Sequence, residues 1–278
     1  MSKALSILFC VFALFRSLEA APQGEKIEFF RPSVPGRVCH IKASVSSSCT
    51  YSVRPVSTAK APARKEKSTA SVSGTMKVLE CSNKGNPVLF EFTIESISGY
   101  ANGNVLDEKP LLGKTVTVKK KPDSVSFSLQ GNDMAPIEKT LLQMLFQPDN
   151  GLCLKDIIST ERPLMTGDSW EIGTPEKKNT LSVSGMAFLK GRESFSSIDC
   201  WKIEYSISVS DKKNGLDSSA LTEILLPVEK EKGGPVKISS KQRRKIEKEL
   251  PSENPITAGT LLSIDESVDF NAEITTLP

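Results

Sequence analysis

Hydrophobic and polar residues alternate one by one along most of this chain, most clearly over residues 90–95 and 201–209. Successive side chains of a strand point to opposite sides of a sheet, so each of these segments has one face to bury and one to leave in water. The pattern predicts a mainly β protein built from antiparallel sheets that are covered on one face. The residues predicted to form its core, or to line an apolar pocket, are Phe90, Phe92, Ile94, Trp201, Ile203 and Tyr205.

A short motif, Ser-Val-Ser-Gly, occurs at 71–74 and again at 182–185. In both places an alternating segment follows, and then a segment led by glycine, at 112–116 and at 258–262. A repeated order of this kind is typical of duplicated structural units. We therefore expect two related β-rich halves, which either curve as half-barrels or pack together as a sandwich.

One or two short helices are also expected. In residues 136–146, apolar residues recur every four positions and a proline occupies the first turn, as in an amphipathic helix. Residues 240–250 begin with a serine cap and are stopped by Pro251, which predicts a second helix. Residues 56–73 are rich in Ala, Lys, Ser and Pro, which predicts an exposed flexible loop.

The N-terminus has the features of a secretory signal peptide. Lys3 precedes an apolar run of twelve residues from Ala4 to Phe15, and cleavage is most simply placed after Ala20. Such a run rises about 18 Å as a helix, which is short of the roughly 30 Å of a bilayer core. We therefore expect an exported protein, periplasmic or secreted, with no transmembrane span after signal removal. An uncleaved anchor that tethers a scaffold to the membrane is the alternative.

These patterns divide the chain into consecutive units. The predicted organisation is a signal peptide at 1–20, an N-terminal extension at 21–36, a first β-rich half at 37–135, a helical connector at 136–164 and a second β-rich half at 165–278 with a charged insertion at 229–256.

Export makes disulfide bonds an option for the cysteines of the mature chain. Five cysteines remain after the predicted cleavage, and they pair in at most two bridges of unknown connectivity or else act as small buried hydrophobic residues. They are Cys39, Cys49, Cys81, Cys153 and Cys200.

Composition and charge exclude several classes of function. The 36 basic and 33 acidic residues nearly balance, which argues against a nucleic-acid binder. His40 is the only histidine, so most metal and acid–base sites are excluded, and no cofactor is predicted. No catalytic residue is assigned, although a hydrolase acting on envelope polymers through Asp265 and Asp269 is an alternative.

The predicted second helix is strongly basic, and it includes Arg243, Arg244 and Lys245. Basic side chains gathered on one helix would suit contact with an anionic surface such as phospholipid or lipopolysaccharide. A solvated helix within the insertion is the alternative.

The stretch Pro-Leu-x-x-Gly-Asp-Ser-Trp at 163–170 lies between the predicted halves. Together with the export signal, it resembles an uncharacterised family of exported β-rich bacterial proteins, in which a similar stretch links two sheet-forming halves. The resemblance implies an exported β protein and implies no activity or cofactor. The Lys-rich segments 56–73 and 229–256 depart from the family pattern. We interpret Trp170 as a packing anchor.

These observations favour a non-enzymatic binding or scaffolding module of the cell envelope or the secreted fraction. Its partner is unknown; an envelope component or a lipid is the expected kind. An apolar ligand would require the predicted core positions to line a void.

We expect the exported protein to begin at Ala21, because Ala20 ends the polar segment that follows the apolar run. N-terminal sequencing of protein recovered from the periplasm or the medium checks this. A first residue of Met1 or Ser2 would support the tethered alternative.

Overall fold

The structure is a computed structural model. It describes residues 24–55, 63–101, 103–105, 111–129, 134–149, 151–172, 181–211, 213–249 and 260–277. The predicted signal peptide, residues 1–20, lies outside this part of the chain.

Twelve strands and two helices form the described fold. The strands are β1 (Val38–Pro55), β2 (Arg64–Cys81), β3 (Pro87–Ala101), β4 (Asn104–Val105), β5 (Thr115–Lys120), β6 (Val125–Leu129), β7 (Ser169–Glu171), β8 (Leu181–Phe195), β9 (Ile198–Asp211), β10 (Leu216–Pro227), β11 (Lys237–Glu249) and β12 (Thr260–Thr276). The helices are α1 (Pro136–Leu145) and α2 (Leu154–Ile158). No helix among the described residues is long and apolar enough to cross a membrane.

All twelve strands belong to one open antiparallel sheet, which confirms the predicted fold class. The order across the sheet is β6-β5-β3-β2-β1-β12-β11-β10-β9-β8-β7, and β4 pairs with β3 beside this path. The first and last strands pair at its centre, from Cys39 opposite Thr276 to Pro55 opposite Thr260. The first and last of the described strands are therefore neighbours in one sheet.

The repeated motif lies on two similar hairpins. Its copies lie on β2 and β8, each of which pairs with the next strand along the chain. The glycine-led segments are not equivalent, however. β5 pairs with β3, whereas β12 pairs with β11 and β1, so the predicted third match of the repeat is wrong.

The predicted helix at 240–250 is also wrong, because residues Lys237–Glu249 form strand β11. Backbone hydrogen bonds to β10 and β12 on its two sides override the local helix signals.

The predicted loop at 56–73 is wrong from residue 64 onward, where β2 begins. This part of β2 is largely exposed, which explains why it contains few large apolar residues. Residues 56–62 lie outside the described residues.

The sheet has one apolar and one polar face. Directly paired residues share a face, so the register assigns Ile41, Ala43 and Val45 of β1 to the apolar face. His40 and Ser44 of β1 lie on the polar face. Two packed cores cover parts of the apolar face.

The first core lies where α1 packs on β1, β2 and β3. Glu138 caps α1 by accepting a hydrogen bond from the Ala135 backbone N–H at 2.7 Å, and the helix buries Leu141 and Leu142. Phe146, just after α1, lies 5.2 Å from the Phe92 ring, centroid to centroid. The predicted helix at 136–146 is therefore confirmed.

The second core lies at the other end of the sheet. There, α2 and the N-terminal segment cover β8, β9 and β10 with Ile158, Ile27 and Phe29. Trp170 packs in this core, and its indole N–H donates to the Ile158 carbonyl at 2.8 Å.

The six residues predicted as core or apolar lining are divided between these cores. Phe90, Phe92 and Ile94 are buried in the first core. Trp201 and Ile203 are buried in the second, and Tyr205 is half-buried against it.

Gly74 lies where the β2–β3 register shifts by one residue. A methyl group at this position would overlap the Thr93 backbone oxygen and approach the Phe92 ring to 2.8 Å. We expect Gly74→Ala to lower the free energy of unfolding by about 1–3 kcal/mol, as overpacking does. Urea unfolding measures this change. Gly234→Ala is the matched control, since no atom lies within 4 Å of its added methyl group. Equal midpoints for the two variants would contradict the argument.

Candidate functional site

The polar face carries a row of small hydroxyl and amide side chains that crosses five neighbouring strands. The residues of this hydroxyl row are Ser239 of β11, Asn271 of β12, Ser44 of β1, Ser71 of β2 and Ser98 of β3. Each lies directly opposite the next in the strand register. The Ser239 hydroxyl donates to the Asn271 side-chain oxygen at 2.7 Å.

Two adjoining open grooves lie along this row because its side chains are short. Their volumes are about 340 and 520 Å³, and both are lined by Ser44, Ser71 and Asn271. Lys42 and Glu273, which are paired directly across β1 and β12, line the smaller groove. Serine hydroxyls both donate and accept hydrogen bonds, so the floor of the grooves suits a ligand rich in both kinds of group.

Aromatic and apolar groups line one end of the larger groove. Tyr100 at the end of β3 is 40% exposed, and Val105 of β4 lies directly opposite it. An exposed tyrosine ring offers a flat surface on which a ligand can stack, together with a hydroxyl that can bond to it.

A hydrogen-bonded network crosses three strands beside the smaller groove. The bulged residue Glu95 of β3 reaches over β2, so that one carboxylate oxygen lies 2.9 Å from His40 Nε2 of β1. Thr75 of β2 donates to its other oxygen at 3.0 Å. The hydrogen bond from His40 lowers the pKa of Glu95. Among the described residues, no hydroxyl or thiol is hydrogen-bonded to His40, so no histidine–nucleophile pair is formed there.

The acidic residues of the hydrolase alternative do not converge. Asp265 and Asp269 lie four residues apart on β12, which is about 13 Å along a strand. Paired glycosidase carboxylates lie roughly 5–9.5 Å apart. Asp265 is also bound by Arg243 at 2.9 Å, a contact that lowers the pKa of the carboxyl, and Asp269 lies opposite Lys241.

The predicted basic surface is likewise not formed. Because β11 is a strand, Arg244 points to the apolar face while Arg243 and Lys245 point to the polar face. Each has an acidic partner: Arg244 pairs with Glu266 at 2.7 Å, and Lys245 pairs with Glu247 at 3.0 Å. The charges are therefore divided between two faces and neutralised.

The cysteines form no disulfide in the described structure. Cys39 and Cys200 are buried in strands, and burial raises the pKa of both thiols. Cys49, Cys81 and Cys153 are partly buried and also unbridged. The described part of the chain contains no group of three or more His, Cys, Asp or Glu residues that could hold a metal ion.

Sequence reasoning missed the hydroxyl row. Ser71 falls in the predicted loop at 56–73 and Ser239 in the predicted charged insertion at 229–256, so neither is expected on a strand from the sequence alone. The row arises from the pairing of strands that are far apart in the chain.

No family model and no curated protein matches this chain. Among solved structures, one titled for lipid–protein interactions in lipovitellin is 10% identical, with 90% of this chain and 26% of that chain covered and a TM-score of 0.37. An outer membrane channel of Pseudomonas putida F1 is 9% identical over 90% of this chain and 99% of that chain, with a TM-score of 0.22. OccK11 of Pseudomonas aeruginosa is 6% identical over 90% of this chain and 100% of that chain, with a TM-score of 0.20. These similarities are too low to assign a family or a function.

Asp156 of α2 ties the helix to the β2–β3 turn. Its carboxylate accepts from the Cys153 backbone N–H at 3.0 Å and from Lys84 Nζ at 3.0 Å. The backbone bond, and then the lysine, lower the pKa of Asp156 from 3.8 to about 2.

A depressed folded-state pKa means that Asp156 stabilises the fold above its unfolded pKa and stops doing so as the pH falls through its folded pKa. We expect Asp156→Asn to reduce the loss of stability between about pH 4 and pH 2. Urea midpoints across this range measure the effect. Asp217→Asn, at an exposed position of β10, is the control. Parallel pH profiles for Asp156→Asn and the unmodified protein would contradict the assignment.

Proposed function

We propose that this protein is an exported, non-enzymatic binding scaffold that holds a charge-neutral, hydroxyl-rich polymer, such as a glycan of the cell envelope, across its polar face. The observation that carries the proposal is the hydroxyl row with its two adjoining grooves. A row at right angles to the strands suits an extended ligand, because neighbouring strands present equivalent side chains about 4.8 Å apart.

The charges on the polar face favour a neutral ligand. Lys237, Lys241 and Lys245 of β11 lie directly opposite Glu273, Asp269 and Asp265 of β12, respectively. A face on which acids and bases alternate between adjacent strands has no excess of either sign to attract an ion. Hydrogen bonding and stacking on Tyr100 are then the contacts that select a ligand.

The contacts of the titratable groups support a role without catalysis. The hydrogen bond from His40 goes to the Glu95 carboxylate, and Asp265 and Asp269 of the hydrolase alternative lie far apart on one strand.

Export is supported by the signal-peptide pattern of residues 1–20 and by the resemblance of residues 163–170 to exported bacterial proteins.

An apolar ligand is the second candidate. The observation in its favour is Val53, which is 54% exposed on the apolar face at the end of β1, beside the half-buried Leu262. The predicted lining residues do not favour it, since they are packed in the two cores and line neither of the two grooves.

Calorimetric titration with cellohexaose, maltohexaose and chitohexaose tests the first candidate. We expect at least one of these neutral hexasaccharides to bind. Ser71→Gln should abolish binding because the longer side chain fills the shared floor of both grooves. Tyr100→Ala should weaken binding by about 2- to 13-fold, the effect of losing roughly 0.5–1.5 kcal/mol of ring contact.

Ser267→Gln is the matched control. Ser267 lies on β12, on the same polar face of the sheet as Ser71, but it lines neither groove. Absence of binding by all three sugars, or an equal effect of Ser267→Gln, would refute the proposal. A parallel titration with a fluorescent fatty acid separates the candidates, because Ser71→Gln leaves the apolar face unchanged.

A further inference from the structure

The described sheet ends at β6, and among the described residues this strand pairs only with β5. An edge strand presents a row of unpaired backbone N–H and C=O groups, and proteins protect such edges with charges, proline or very short strands. The other end of the sheet is protected in this way, since β7 has only three residues and ends in Glu171. The sequence of β6, Val-Ser-Phe-Ser-Leu, contains neither a charge nor a proline.

The hydrogen bonds of the β5–β6 hairpin identify the backbone groups that face outward. The Lys121 backbone N–H donates to the Ser124 carbonyl at 2.8 Å, so these two residues form a hydrogen-bonded pair. Bonded and non-bonded pairs alternate along an antiparallel ladder, so the two serines of β6 are the residues that bond to β5. The outward N–H and C=O groups therefore belong to the three apolar residues of β6, which are Val125, Phe127 and Leu129.

The side chains of the same three residues leave the first core incomplete at the edge of the sheet. Val125, Phe127 and Leu129 pack against this core, but each is only half-buried. The Phe127 ring centroid lies 6.4 Å from that of Phe146. A strand added beyond β6 would give these side chains the second neighbour that the interior strands of the sheet already have.

We propose that β6 pairs with β6 of a second copy of this chain, antiparallel and about a two-fold axis at Phe127. The strand is complementary to itself in this register. Phe127 lies opposite Phe127 of the second copy and Val125 lies opposite Leu129, so apolar side chains meet on one face and serines meet on the other. Each outward-facing residue exchanges two backbone hydrogen bonds with the residue opposite. A two-fold contact of this kind closes on itself and gives a dimer.

The pairing places both hydroxyl rows on the same side of one continuous sheet, because directly opposite residues of an antiparallel pair share a face. A polymer long enough to reach both rows would bind the second row as an intramolecular event, which raises the overall affinity. This consequence rests on the proposed function, whereas the dimer itself does not.

Sedimentation equilibrium of the full chain without ligand tests the proposal. A strand of five residues makes a small interface, so we expect a weak dimer that forms at about 100 μM protein and dissociates on dilution. Its mass is twice the 30.2 kDa of one chain. The mass of a single chain at this concentration, or a mass that keeps growing beyond two chains, would overturn the proposal. Because no sugar is present, failure of the dimer is distinguishable from failure of the proposed function.

Two matched variants test the register. Ser126 and Ser128 are exposed, and in the dimer Ser126 of each copy lies opposite Ser128 of the other. Ser126→Glu with Ser128→Glu sets like charges opposite each other and should weaken the dimer, whereas Ser126→Glu with Ser128→Lys sets opposite charges together and should preserve it. We expect dissociation constants about 5- to 100-fold apart.

The two variants differ only at position 128, since the substitution at Ser126 faces Lys119 of the same chain in both. Urea unfolding checks that both are folded. Equal dissociation constants for the two folded variants would overturn the proposed pairing, because only this register brings positions 126 and 128 together.

Discussion

The pairing of β1 with β12 is the constraint on which the rest of the structure depends. The two strands lie at opposite ends of the described chain and run side by side through seventeen consecutive residue pairs. Bringing such distant segments together costs loop-closure entropy, and non-local pairing of this kind is slow to form. A one-residue slip would move every side chain of a strand to the other face, so the register must be held along the whole length. Once it is set, both halves of the sheet share one apolar and one polar side.

The two faces of the sheet differ in what covers them. The apolar face needs cover, and α1 covers it at one end while Ile27 and Phe29 of the N-terminal segment cover it with α2 at the other. Antiparallel sheets can leave their second face in water. The polar face is open along the hydroxyl row, although Cys200, Leu225 and Val236 form a small buried cluster at one end of it. Serine and threonine keep that face hydrated and leave it shallow. Cross-strand ion pairs such as Lys202 with Glu193, at 3.0 Å, add little stability where they are exposed.

Much of the fold could be predicted from the alternation of single residues. It predicts strands around Phe92 and Ile203 with the correct buried face, and the four-residue spacing of apolar positions predicts α1 almost to the residue. The errors arose where strands lack that alternation. The charged residues of β11 have good helix propensity, and only their neighbours on both sides make them a strand. The first residues of β2 are exposed on both faces and so carry no apolar signal.

The hydroxyl row could not be predicted from the sequence for a related reason. The hydroxyl row joins Ser239 to Ser98 through three intervening strands, and no local pattern specifies which residues of distant strands lie in one row. Serine at one position is unremarkable, because a solvated strand face accepts many polar residues. Five short side chains in one row leave a groove, whereas longer side chains would fill it. Most of the buried apolar residues lie in the two cores, so short hydroxyl groups are what the polar face offers for recognition.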